Sequence, residues 1–309
     1  HIRQINHLVV IYMENHSFDN LYGEFKGANG IENAKRGNFV QVDKDGKPYK
    51  YLPEIPRNKS FPTNLPNELF NIDQYVPSDK KTPDVTHRFF HNQLQIDGGK
   101  MDKFAAYNDS KGLAMGYYNT KKLPLYPIAQ KYTLCDNFFQ SVFGGSYFNH
   151  VYLVSAAVPV WPDAPESLMA KVDADGKMIA DGVVTHDGYV VNHILSRNTP
   201  YPPKSDTSKL LPSQTMPTIG DRLSEKNISW AWYSEGWDDA VAGKKNNFAY
   251  NHEPFLYFAR YEDGTEGRKH MKDQNDFIKA AKEGTLPSVS FVKPGGGNDE
   301  HPGGSAVYS

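Results

Sequence analysis

A chain of 309 residues with a formal charge of −2 and no long block of one sign lacks the basic footprint of a nucleic-acid binder, which excludes that class of partner. Hydrophobic residues at 39% and charged residues at 23% are ordinary for a globular protein, and no apolar run approaches the roughly 20 residues needed to span a bilayer. A single cysteine, Cys135, excludes an internal disulfide and a cysteine-based zinc site, and its apolar surroundings from Tyr132 to Phe139 predict a buried core position. His7 to Met13, HLVVIYM, is a continuous apolar and β-branched run that predicts a strand buried on both faces, as in parallel sheets. The turn ENHSFDN follows at once. From about residue 31 to 84 the chain is rich in Pro, Asn, Lys and Asp, with a hairpin expected at VQVDKDGKPYKYL around Asp45-Gly46. This stretch predicts an insertion on the rim of the sheet. A second polar stretch, 171–211, with Asp175-Gly176 and the string YPPK, predicts a lid or flap. Strands are expected at Ile228 to Tyr233 and Ser288 to Val292, each preceded by a helix, Thr218 to Lys226 and Asp273 to Lys282. The rhythm is that of a single α/β domain, a mostly parallel central sheet flanked by helices, with functional loops at the carboxyl ends of its strands.

Several residues in this frame could carry chemistry. Glu14 and Asn15 directly follow the first strand, where an open α/β sheet presents side chains to a ligand crevice, and together they offer hard oxygen donors to a divalent cation. The alternative is a plain turn in which Asn15 or Ser17 caps the next helix. In FGGSYFNHVYLVSAA two glycines precede Ser146 and a helical stretch follows from about Tyr147, so the serine is expected at a helix N-terminus. There the helix dipole and free backbone N–H groups attract phosphate and favour an ionised hydroxyl, although serine also caps helices with no further role. Phe148 stands where the Gly-x-Ser-x-Gly elbow needs its second glycine, which removes the main support for acyl transfer. His87 and His91 are four apart, a spacing that on one helix face would make a metal pair, while His252 and His301 are isolated. DKDG at Asp43 and DADG at Asp173 lack the sixth-position glycine of an EF-hand loop and predict turns. GGGNDEHPGG lacks a Walker lysine and any following helix pattern.

The string Glu14-Asn15-His16-Ser17-Phe18-Asp19-Asn20, followed by Leu21-Tyr22-Gly23, resembles the opening signature of the family that joins bacterial acid phosphatases and phospholipases C. Further echoes run in chain order: PDVTH ending at His87, GGKMD at 98–102, LCDNFF at 134–139, GGSYFNH at 144–150 and NHEPF at 251–255. The resemblance implies an alkaline-phosphatase-like sheet and a metal-assisted nucleophile. It makes Glu14 and Asn15 metal ligands, Ser146 the nucleophile, and His87, His252 and His301 residues of the phosphate or metal pocket. Serine at the nucleophile position is similar to the acid phosphatase branch, where phospholipases C more often carry threonine. His16 departs from the arginine frequent in the family.

The implied reaction is in-line attack by Ser146 on phosphorus, hydrolysis of the phosphoseryl intermediate by water, and protonation of the leaving alkoxide by His252 or His301. The expected substrate is a small phosphate monoester. A phospholipid is the alternative, and an inactive phosphate-ester binding protein is the alternative of another class. The expected cofactor is a divalent metal ion and the expected location periplasmic or secreted. Relatives of this family continue past the last strand into another whose end supplies aspartates to the metal. The carboxyl-terminal part of the fold is therefore expected to be absent from this chain, to be an expected partner as a separate fragment, and to be required for full turnover, with Asp238, Asp239, Asp299 and Glu300 as the fallback acidic ligands.

Overall fold

The structure is a computed structural model that describes residues 4–301; Pro302, Gly303 and Gly304, which end the glycine-rich string, lie outside the described residues. Its strands are β1 (Leu8–Ile11), β2 (Phe70–Asn71), β3 (Gly116–Tyr117), β4 (Lys171–Val172), β5 (Met178–Ala180), β6 (Trp230–Ser234), β7 (Met271–Asp273) and β8 (Val289–Lys293). Its α-helices are α1 (Phe18–Tyr22), α2 (Phe89–Ile96), α3 (Tyr126–Lys131), α4 (Ser146–Ser155), α5 (Ile219–Glu225), α6 (Trp237–Val241) and α7 (Gln274–Glu283). The chain forms two compact units. The first comprises the described residues up to Met13, Gly145–Lys171 and Ala180–Asp299; the second comprises Glu14–Gly144, Val172–Ile179 and the described residues after 299.

The first unit is built on a four-stranded sheet of order β1-β8-β6-β7, with every pairing parallel. Strand side chains alternate between faces, so β6 divides its aromatic content. Ala231 and Tyr233 pack with Val292 against Phe277 of α7, whereas Trp230 and Trp232 lie 4.9 and 5.9 Å, centroid to centroid, from Phe255 in the 3-10 turn Pro254–Tyr257. Helix-type segments thus cover both faces. Trp232 is fully buried, and cutting such a side chain back to alanine costs about 3–5 kcal/mol in transfer energy and cavity. The caps explain where the crossover helices start. Thr218 and Asp221 form a reciprocal capping box at α5, and the Asp273 carboxylate accepts from Asn275 N at α7. The expected helices and the strands at Ile228 and Ser288 are therefore present within a residue or two of their expected ends.

Two expectations are corrected here. Strand β1 is not buried on both faces: it pairs only with β8 among the described residues, leaving Leu8 52% and Ile11 61% exposed. An apolar run reports strand propensity, not how many neighbours the strand receives. The hairpin at VQVDKDGKPYKYL is reduced to a turn with one antiparallel bridge, Val42 to Pro48, since Pro48 has no N–H for a ladder. The stretch 171–211 is not all surface. Beyond the β4–β5 hairpin it contributes Val184, Val190, Val191 and Leu211 to the buried interior.

The second unit has little regular structure: among the described residues the two-residue strands β2 and β3 pair, and isolated bridges join Val42 to Pro48 and Tyr51 to Pro66. It still has its own core, in which Leu52, Ile55, Phe61, Leu65 and Ile72 from the polar stretch pack with Leu21, Leu113 and Met115. Amide side chains replace the missing ladders. Asn67 donates to Gln41 O and Tyr49 O and accepts from Gln41 N, while Gln95 donates to Thr86 O and Tyr107 O. The turns expected at Asp43 and Asp173 are present, each aspartate accepting from two backbone N–H groups. Cys135 is exposed, against the buried position expected of it, because 132–139 forms no strand or helix that would carry it inward.

Candidate functional site

In the first unit the chemistry gathers at the carboxyl ends of the parallel strands, where such sheets present ligands. Ser146 is the first residue of α4, with Gly145 as the N-cap, so its hydroxyl is not the cap and the structural alternative for it lapses. Gly144, two residues before it, holds φ 133, a conformation open only to glycine, whereas Gly145 at φ −83 is ordinary extended backbone. One turn along, the Nδ1 of His150 pairs with the Ser146 carbonyl at 2.7 Å; as donor there, it leaves Nε2 with its lone pair. His150 is completely buried. Its pKa falls to about 3, first through loss of hydration and then through the nearby Lys293 charge, so the ring is neutral at ordinary pH. His252 stacks on it at 4.6 Å with the planes nearly parallel, and Tyr12 meets it edge-on at 4.7 Å.

Beneath these rings lies a buried ion pair. Lys293, the last residue of β8, places Nζ 3.0 Å from Asp299 Oδ2, with each side chain 1% exposed, and His252 Nδ1 lies 3.7 Å from the same oxygen. Glu253 is buried beside His252, accepts from Ser234 Oγ at 2.9 Å, and has its pKa raised to about 8 by burial. Ser234 in turn accepts from Trp232 Nε1, so the end of β6 is tied to the segment carrying His252.

In the second unit five polar residues converge. Asn15, held at φ 71, donates from Nδ2 to His87 Nε2 at 3.2 Å, while His87 Nδ1 donates to Val85 O at 2.6 Å. The carbonyl fixes the tautomer and leaves the Nε2 lone pair facing the cluster, the arrangement in which imidazole serves as a ligand or proton acceptor. Asp84 Oδ1 stands 3.8 Å from His87 Nδ1, and its Oδ2 stands 3.8 Å from His301 Nε2. His301 Nε2 also lies 4.0 Å from Glu14 Oε1, and the rings of His87 and His301 are 5.3 Å apart. Burial raises the Asp84 pKa, and attraction to His87 and His301 opposes that rise.

Asp84, His87 and His301 each bring a donor atom within 4.8 Å of the others. One carboxylate and two imidazoles at such separations fit a divalent cation of the zinc, iron or manganese type once they close to bonds of about 2.0–2.2 Å. Glu14 and Asn15 supply neighbouring oxygen. The donor set is therefore richer in nitrogen than the all-oxygen pair expected from sequence.

The structure brings Glu14, Asn15, His87 and His301 together in the second unit, and links Ser146 to His252 through His150 in the first. His87 and His91 do not share a helix face: α2 begins at Phe89, so His87 lies outside the helix. Ser17, not Asn15, caps α1. Asp84, His150 and Lys293 were missed. The available signals were a carboxylate three residues before His87 and a histidine one helical turn after Ser146.

A family model described as the phosphoesterase family matches residues 5–309. Among curated proteins, the hemolytic phospholipase C of Pseudomonas aeruginosa is 23% identical over 310 residues, covering 94% of this chain and 36% of its own. Phospholipase C B of Mycobacterium tuberculosis is 24% identical over 317 residues, covering 98% and 52%. The non-hemolytic phospholipase C of Pseudomonas aeruginosa is 22% identical over 312 residues, covering 99% and 37%. The chain thus spans between about a third and a half of the length of these relatives. No helix among the described residues is long and apolar enough to cross a membrane.

Proposed function

Since the chain belongs to the phosphoesterase family, we propose that it hydrolyses phosphate esters, with Glu14, Asn15, Asp84, His87 and His301 receiving the phosphoryl group and a divalent cation, and Ser146 as nucleophile. The observation that carries this reading is the meeting of Asp84, His87 and His301 within 4.8 Å, with the His87 tautomer fixed by Val85 O. Ser146 Oγ attacks phosphorus as its proton passes to a base, the bond to the leaving oxygen breaks, and a histidine supplies that oxygen with a proton. Water then attacks the phosphoserine and frees inorganic phosphate and Ser146. When bound, the cation neutralises charge on the phosphoryl oxygens. The position of Ser146 at the first turn of α4, where the helix dipole favours a negative charge, supports its role. The all-parallel sheet supports an alkaline-phosphatase-like architecture.

We read the preferred substrate as a monoester, on the serine at position 146; the names of the phospholipase C relatives favour phosphodiesters as the second reading. Turnover of p-nitrophenyl phosphate against p-nitrophenyl phosphorylcholine, with divalent ions added, decides between them. Ser146→Ala is expected to abolish turnover and phosphoserine labelling while inorganic phosphate still binds, and His87→Gln to lower kcat by about 100-fold or more. Near-wild-type turnover in Ser146→Ala removes Ser146 from the nucleophile role. Phosphate binding without any turnover in the unaltered protein marks a binding protein instead.

A further inference from the structure

The second unit contains a cavity of about 810 Å3 that shares Asp84 and His87 with the candidate phosphate site. Arg57, Lys81, Arg88 and Lys111 line it, against the acidic Glu54, Asp84 and Asp109. In a chain of formal charge −2, four cations against three carboxylates leave this lining with a net positive charge. No ion pair among the described residues engages Arg57, Lys81 or Lys111, so their charge is available to a ligand. Arg57 and Lys111 both hold left-handed backbone, at φ 62 and 50, a conformation unfavourable to residues with a side chain and retained chiefly where the surroundings demand it.

The floor of the cavity is stitched together. Thr86 N donates to Asn108 Oδ1, Asp109 N donates to Thr86 Oγ1, and Ser110 Oγ donates to Asp84 O. Lys111 is thereby held in the same wall as the 84–87 segment that carries His87. A space of this size accommodates a sugar-sized molecule.

We propose that this cavity is a subsite for a second phosphate group, so that the site selects small molecules phosphorylated at two positions, one phosphate at His87 and the other against Lys81 and Lys111. The proposal rests on the phosphate-ester reading above. It differs from that reading in naming the class of substrate, and from a choline-type diester in requiring a second negative charge.

The test is calorimetric binding of glucose 1,6-bisphosphate and of glucose 6-phosphate to the full chain, with release of inorganic phosphate followed in parallel. The bisphosphate is expected to bind about 10-fold more tightly at low salt, and the gap is expected to narrow as ionic strength rises. Lys81→Gln/Lys111→Gln closes the gap, and Lys81→Arg/Lys111→Arg preserves it. Lys81→Gln alone, at an exposed position, narrows it about threefold and serves if the double variant does not fold. Equal affinity in the unaltered protein overturns the subsite, as does a preference that survives loss of both lysines. If the preference behaves as expected but no phosphate is released from either sugar with any divalent ion, the subsite stands and the hydrolase reading falls.

Discussion

The two units solve the same problem, holding polar chemistry in place, by opposite means. In the first, parallel strands fix the backbone and ionisable groups are buried near their ends: Lys293 against Asp299, Glu253 bonded by Ser234, His150 against His252. In the second, β2 and β3 have two residues each, and amide side chains such as Asn67, Gln95 and Asn108 bind the backbone directly. A sheet absorbs the cost of buried charge because its own hydrogen bonds do not depend on side chains. An irregular unit must use its side chains for the backbone, and of its two functional acids one stays close to water: the Asp84 side chain is 45% exposed, against 5% for Glu14 and 1% for Asp299 of the first unit.

The largest expected effect follows from that contrast. Lys293→Met leaves the Asp299 carboxylate buried without its close cation, and the loss is expected to be about 3–5 kcal/mol in denaturant unfolding. Lys293→Met/Asp299→Leu is expected to recover most of it, because no charge then remains to be solvated. A single substitution costing less than about 1 kcal/mol would mean that the end of β8 is wetter than the comparison requires. Glu253 gives the next effect. Its folded pKa, about 8, lies above the ordinary value of 4.5, so the protonated form is the one stabilised by folding. Stability from this group is fully present below about pH 4.5 and is lost as pH rises towards 8, a loss on the order of 5 kcal/mol at most. Glu253→Gln, a neutral acid mimic, is expected to flatten this pH dependence, measured as the denaturant midpoint between those limits.

The same contrast explains what was legible in the sequence. Strands β6 and β8 could be read because apolar runs were bounded by helices with recognisable caps at Thr218 and Asp273. Strand β7 could not, since Met271-Lys272-Asp273 is three residues long with Lys272 exposed, and only its pairing with β6 makes it a strand. The core of the second unit was hidden in a stretch that looked like a polar insertion. Leu52, Ile55, Phe61, Leu65 and Ile72 follow no helical or strand period, so no periodicity could place them in one cluster. Glu14, Asn15, His87, Ser146, His252 and His301 were recognisable as parts of local strings. Asp84 was passed over because a carboxylate in a Pro-Asp-Val-Thr-His string announces nothing until His301, over 200 residues later, is seen beside it. His150 was masked by the helix it sits in, where burial alone suffices to explain a histidine.

The smallest effect is the most specific to the second unit. Gln95 is buried in α2 and donates to Thr86 O at 3.1 Å and Tyr107 O at 2.9 Å, while Asn92 Nδ2 donates to its Oε1 at 2.6 Å. Gln95→Leu keeps the volume and removes all three bonds, so two backbone carbonyls lose a donor. Each such loss costs about 1 kcal/mol net, more where water cannot enter, so a total near 2 kcal/mol is expected. The functional consequence is expected to exceed the thermodynamic one. Thr86 precedes His87, whose tautomer depends on Val85 O staying 2.6 Å from Nδ1; once the segment 84–87 loosens, Nε2 no longer keeps a fixed direction. Backbone amide exchange at residues 85–87 is therefore expected to accelerate, and kcat for phosphate-ester turnover to fall, while amides of β6 and β8 exchange as before. Acceleration spread evenly through both units would show that Gln95 serves global stability alone, and that amide side chains do not play the role in the second unit that the sheet plays in the first.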